Sequence, residues 1–159
     1  MAADATEILE AVRLALEAAF PAVLVRVRKG KPGPGMESPL CGLAAGDALP
    51  AFVLSCPGPE ECETSPSFEH VSVRYPVHVA YVKDAEAAPG RTAEDPDVRA
   101  TRRAVRGLLY RPHLPGATRV FHTAYAAGPV YSEFHGDVTR LVSEQTLTPV
   151  VLEPRGVVP

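Results

Sequence analysis

The residues that could do chemistry in this chain are five histidines, three cysteines and one dense run of arginines. His70 and His78 share one side of an alternating segment, and His113, His122 and His135 follow later. A metal ion needs its ligands gathered within a little over 2 Å of one point. Eight strand residues at about 3.3 Å each hold His70 and His78 about 26 Å apart. No His-x-His or His-x-x-x-His pair brings two imidazoles together, so convergence through strand pairing is the remaining route to a metal site. Cys41, Cys56 and Cys62 are odd in number and contain no Cys-x-x-Cys, which supports neither a zinc cage nor a disulfide framework. Reduced thiols in a cytosolic compartment are the expectation. Cys56, Ser132, His122 and Asp137 could be written down as a nucleophilic set, but no Gly-x-Ser-x-Gly elbow supports it. Gly33-Pro34-Gly35 lacks the third glycine and the strand-to-helix setting of a dinucleotide fingerprint. Glu60, Glu61 and Glu63 fall in a proline-rich stretch and read as a solvated acidic turn rather than an acid-base pair held in register. The sequence therefore assigns no catalytic residue, no metal ligand and no cofactor.

The arginines carry a directional meaning. Between Arg99 and Arg119 there are six arginines and no acidic residue, in a chain whose formal net charge is −3. A local positive patch results. On a helix, Arg99, Arg102, Arg103 and Arg106 are expected on the face turned from the core, as a solvated surface or a docking surface for a partner. Direct nucleic-acid binding is the weaker reading, because aromatic residues are scarce in the patch and the whole chain is slightly acidic.

The elements that must position these groups are legible in the spacing. Asp4-Ala5-Thr6-Glu7 has the form of a capping box ahead of Ile8, Leu9, Val12, Ala15, Leu16 and Ala19, which predicts a helix over 5–19 ended by Pro21. Val23, Val25 and Val27 alternate with Leu24, Arg26 and Arg28 as in a half-buried strand. A long loop over 29–50, a short strand over 51–55 and a second loop over 56–66 follow. From Phe68 to Val82, Val71, Val73, Tyr75, Val77, Val79 and Tyr81 alternate with polar or small residues. Fifteen residues of strand would run about 50 Å, longer than a domain of this size is wide. The strand must therefore bend or project, and Pro76 is expected at an edge or a bulge. Asp95-Pro96 opens a second helix over 96–110, with Val98, Thr101, Val105, Leu108 and Leu109 inward. Segments 118–126 and 139–152 read as strands, with Gly128-Pro129 and His135-Gly136-Asp137 as turns and Pro149 at an exposed sheet edge.

Composition bounds the rest. With 159 residues, 46% apolar and 22% charged, the chain reads as one globular domain over 1–159, neither disordered nor membrane-spanning. Its acidic first turn and the absence of an apolar run of about 18 residues argue against export by a signal peptide and against a spanning helix. The 17 prolines and 12 glycines fit long irregular connections. The element order favours an α+β fold, a mainly antiparallel sheet with two helices packed on one face.

The capped helix ending in Ala18-Ala19-Phe20-Pro21, the alternating strand over 68–82, the arginine-rich helix ending in Gly107-Leu108-Leu109 and the late strand Ser143-Glu144-Gln145-Thr146-Leu147-Thr148 together resemble the tail terminator (tail-completion) proteins of tailed bacteriophages and phage-derived particles. The resemblance implies a non-enzymatic virion subunit, assembled in the bacterial cytoplasm, that forms a ring, usually a hexamer, on the end of the tail tube. Its partners would be copies of itself, the tube protein and a neck or head-tail connector protein, with no membrane and with DNA at most passing through the ring. In that setting Arg99, Arg102, Arg103 and Arg106 are candidates for pairing with Glu60, Glu61 and Glu63 of a neighbouring subunit. A head-tail connector or neck subunit is the alternative within this class. A small metal- or thiol-dependent enzyme using His78, His122 and Cys56 is the alternative outside it, and a nucleic-acid-binding adaptor is a third.

Overall fold

The computed structural model describes residues 5–28, 43–44, 46–58, 60–61, 70–85, 95–109, 120–135 and 138–154. Asp4, Cys41, Cys62, Glu63, His113 and most of the two expected loops lie outside these, as do the side chains of Glu60, Glu61, His70, Leu108, Leu109, His122 and His135, which are placed by backbone alone.

Helix α1 spans Ala5–Ala19. It buries Ile8, Ala11, Val12, Ala15 and Leu16, a stripe at helical spacing. Phe20 donates its N–H to the Leu16 carbonyl before the chain turns at Pro21. Strand β1, Leu24–Val27, then pairs in parallel with β2, Ala51–Ser55. Val25 and Val27 pack on the core while Arg26 is exposed, as the alternation predicts. Ala51 to Leu54 are all buried because β2 has a strand on each edge and a layer on each face, which is why it reads as an unbroken apolar run.

The alternating segment becomes two strands, β4 (His70–Arg74) and β5 (Val77–Asp84), after a two-residue strand β3 (Glu60–Glu61) within the expected acidic loop. Along its other edge it meets β7, Val138–Pro154, in one unbroken register from His70 opposite Pro154 to Asp84 opposite Arg140. The irregularity lies on the other side. Ser55 faces His78 and Glu60 faces Arg74, so four residues of the β2–β3 side oppose three around Pro76. That is the bulge a proline without an N–H requires, and Gly58, at φ +129°, lies within it.

After helix α2, Pro96–Leu109, strand β6 (Val120–His135) forms a long antiparallel ribbon with β7. The sheet has seven strands, ordered β1-β2-β5-β7-β4-β3 with β6 on the far edge of β7. All pairs but β1–β2 are antiparallel. The fold is α+β, as the element order predicts.

Two sequence expectations change here. Pro149 does not lie at an edge: it is buried in β7 between Tyr75 and Thr123. Its carbonyl accepts the Tyr75 N–H at 3.0 Å, and only the bond its own N–H would have made is forfeited. Gly128-Pro129 is not a turn either. It is a register shift inside β6, between Ala127 opposite Gln145 and Val130 opposite Ser143.

Both helices cover one face, over Phe52, Leu54, Val73, Tyr75, Val77, Val79, Tyr81, Leu141, Leu147 and Val151. On the opposite face Val53, Ala80, Val82 and Val142 form a smaller cluster, packed by Leu43, Leu49 and Tyr131. Asp47 anchors that covering segment. Its carboxylate accepts the Ala44 N–H at 2.8 Å and pairs with Arg26 at 2.8 Å, contacts that hold its pKa below the usual aspartate value.

Candidate subunit interface

Helix α2 starts where Asp95 accepts the N–H groups of Asp97 and Val98 at 2.9 and 3.1 Å, a carboxylate N-cap. Burial pushes the Asp95 carboxyl up, but the Val98 N–H, Lys83 and the Asp97 N–H outweigh it and hold the pKa below the ordinary value. Lys83 Nζ reaches Asp95 and Asp97 at 3.1 and 2.8 Å and fastens the end of β5 to this turn. Val98, Thr101 and Val105 are buried against the sheet.

The four arginines of the helix do not act as one patch. Arg99, Arg103 and Arg106 are exposed, as predicted. Arg102 is turned inward: its Nε donates to Ser143 Oγ at 2.6 Å, and Nη2 donates to the carbonyls of Gly128, Glu144 and Pro129 at 2.5, 2.9 and 3.2 Å. The planar fork of a guanidinium meets several acceptors at once. It fills the β6 bulge, whose carbonyls turn out of the ladder. At Gly128 the backbone comes so close that a Cβ would lie 2.7 Å from the Glu144 oxygen, a spacing open only to glycine. The signal was present in the sequence, since Val98, Arg102 and Val105 fall at i, i+4 and i+7, the spacing of an inward face. Arg106 is exposed yet engaged, its guanidinium 5.7 Å from the centre of the Tyr125 ring on β6. Tyr125 in turn donates its hydroxyl to Gln145 Oε1 at 2.9 Å. This places the arginine helix over the β6 margin of the sheet.

Glu60 and Glu61 lie on β3, at the opposite margin. The β3-β4-β7-β6 order separates them from β6 by three strand spacings, about 14 Å. The basic and acidic residues singled out from the sequence therefore mark opposite margins of one sheet.

The alternative enzyme set is not assembled. His78 lies opposite Thr146 and His122 opposite Val150, on the two sides of β7. Four residues along the strand and two strands across hold their backbones about 16 Å apart, too far for both imidazoles to reach one ion. His78 Nδ1 is 3.3 Å from Thr146 Oγ1. Burial pushes the Cys56 thiol up, against a lowering contact with the Gly58 backbone, the reverse of what an activated thiolate needs. Among the described residues no group of three His, Cys, Asp or Glu could hold a metal ion, and no helix is long and apolar enough to cross a membrane.

No protein-family model matches the chain, and a search of curated proteins finds no match. The residues and their geometry are left to carry the functional reading.

Proposed function

We propose that the chain is a structural subunit of a tailed-phage or phage-like particle, of the tail-terminator type, that joins copies of itself side by side into a ring capping the tail tube. The observation that supports this reading is the sheet with two dissimilar open margins. Among the described residues β6 pairs along its 16 residues only with β7, and β1 pairs only with β2. Cyclic assembly requires two different, mutually complementary surfaces on every subunit. Exposed arginines lie over the β6 margin, and Glu60-Glu61 lie on β3 on the far side of the sheet, beyond β4 and β7. An open strand edge offers main-chain pairing to a neighbour.

The reading predicts that the purified chain sediments as a discrete multimer, shows rings in negative stain, and arrests elongation when added to growing tail tubes. Reversing charge at Arg99 and Arg103 weakens the multimer and makes it more sensitive to salt. A chain that is monomeric alone and beside tube protein ends the proposal. Stable binding to a connector protein without capping of tubes assigns it instead to the neck.

A further inference from the structure

Among the described residues two large apolar side chains are left exposed, Leu14 and Phe134, and Phe134 is the more open at 79%. Phe134 lies near the end of β6, opposite Thr139. Thr139 is two residues from Leu141, which belongs to the core beneath the helices, so Phe134 projects on the helix-bearing face of the sheet. At the opposite margin, on that same face, a shallow groove of about 360 Å³ runs between α1 and β1. Leu9, Val25 and Val27 give it an apolar lining, and Glu10, Arg13 and Arg26 surround it.

We propose that Phe134 of one copy of this chain seats in the groove between α1 and β1 of the next, beside an antiparallel pairing of β6 with the neighbour's β1. This rests on the ring reading and names the contact that would close it. Three observations select a second copy as the occupant. The apolar knob and the apolar groove lie at opposite margins of one strand row, β1-β2-β5-β7-β6, and a neighbour placed side by side and slid by about five residues, roughly 16 Å, along its strands brings one to the other. Both lie on the same face, so the sheets continue without inversion. The strand directions agree as well: β1 runs with β2 and β7 while β6 runs against them, and β6 beside a neighbour's β1 makes the perpendicular bonds of an antiparallel ladder. The same placement brings the margin under the arginine helix toward the margin carrying Glu60 and Glu61. An isolated aromatic knob in a partner's apolar groove is the usual form of a binding hot spot.

The test uses the full chain with a photoreactive benzoylphenylalanine in place of Phe134, irradiated and mapped by mass spectrometry. Sedimentation of the wild type and of Phe134→Glu runs alongside. The expected result is crosslinking to residues within 5–28 of a second copy, with Phe134→Glu weakening association roughly 30-fold or more at an unchanged melting temperature. Crosslinks that map elsewhere on the second copy, or a Phe134→Glu variant that assembles like the wild type, overturn this contact and leave the ring reading standing. A wild-type chain that stays monomeric both alone and with tube protein added overturns both.

Discussion

Helices α1 and α2 lie on the same face of the same sheet, yet they are held there by different forces. Helix α1 buries five apolar side chains over Phe52, Leu54 and their neighbours. Its attachment is by area, spread over many weak contacts. Helix α2 contributes Val98 and Val105 to the core, and beside them a polar layer: Thr101, Arg102, Ser143 and Gln145, with Arg102 donating to four acceptors. Its attachment is directional. The difference teaches where tolerance lies. An apolar stripe accepts other side chains of similar volume, whereas a guanidinium fitted into a bulge accepts none, because removing it leaves several backbone carbonyls facing a gap.

The largest effect that would test this contrast is Leu16→Ala, which opens a cavity under α1 and is expected to cost about 2–5 kcal/mol in urea unfolding. The neighbouring change Leu16→Met should cost under about 1.5 kcal/mol. Next in size is Arg102→Ala, expected to cost about 1–3 kcal/mol. Here the conservative change sharpens the contrast: Arg102→Lys supplies a point charge without the fork and should recover little, where Leu16→Met recovers most. Full recovery by lysine would mean that α2 is held by charge alone. The smallest effect is at the cap. Asp95→Ala should cost about 1 kcal/mol and abolish part of the acid sensitivity. The folded state holds this carboxyl below its unfolded value, so the unfolded chain binds the proton more readily as acid is added. The cap's contribution is whole above about pH 4 and is lost as the pH falls through the depressed value. Melting temperature against pH should fall less steeply below pH 4 in the variant, and an identical slope would remove Asp95 from the account.

Elements with local causes were legible in the chain. The α1 stripe, the Asp95 cap and the alternation around Val77 to Tyr81 arise from residues within a turn or two of one another, and periodicity reports them directly. Strand spacing alone likewise separates His70 from His78, which lie eight residues apart along β4 and β5. The interface was only half visible. Three arginines of α2 face outward; the spacing with Val98 and Val105 turns Arg102 inward, but the acceptors it meets there lie 26 to 42 residues away on β6 and β7, which no local pattern shows. The Gly128-Pro129 pair has the composition of a turn, and nothing local distinguishes a turn from a bulge crossed by a ribbon that continues. Phe134 carried no signal at all, since a phenylalanine in a strand reads as core until the sheet shows which margin and which layer it occupies.

The amino-acid sequence alone determined the α+β class, the helix limits and the acidic and basic segments, because backbone propensity, capping and amphipathic period are decided within a few residues. The tertiary structure alone decided that Pro149 is central, that Arg102 is a structural plug, and that opposite charges and an apolar knob and groove occupy opposite margins. Those outcomes depend on register, and register is set by which distant strands bury their faces together.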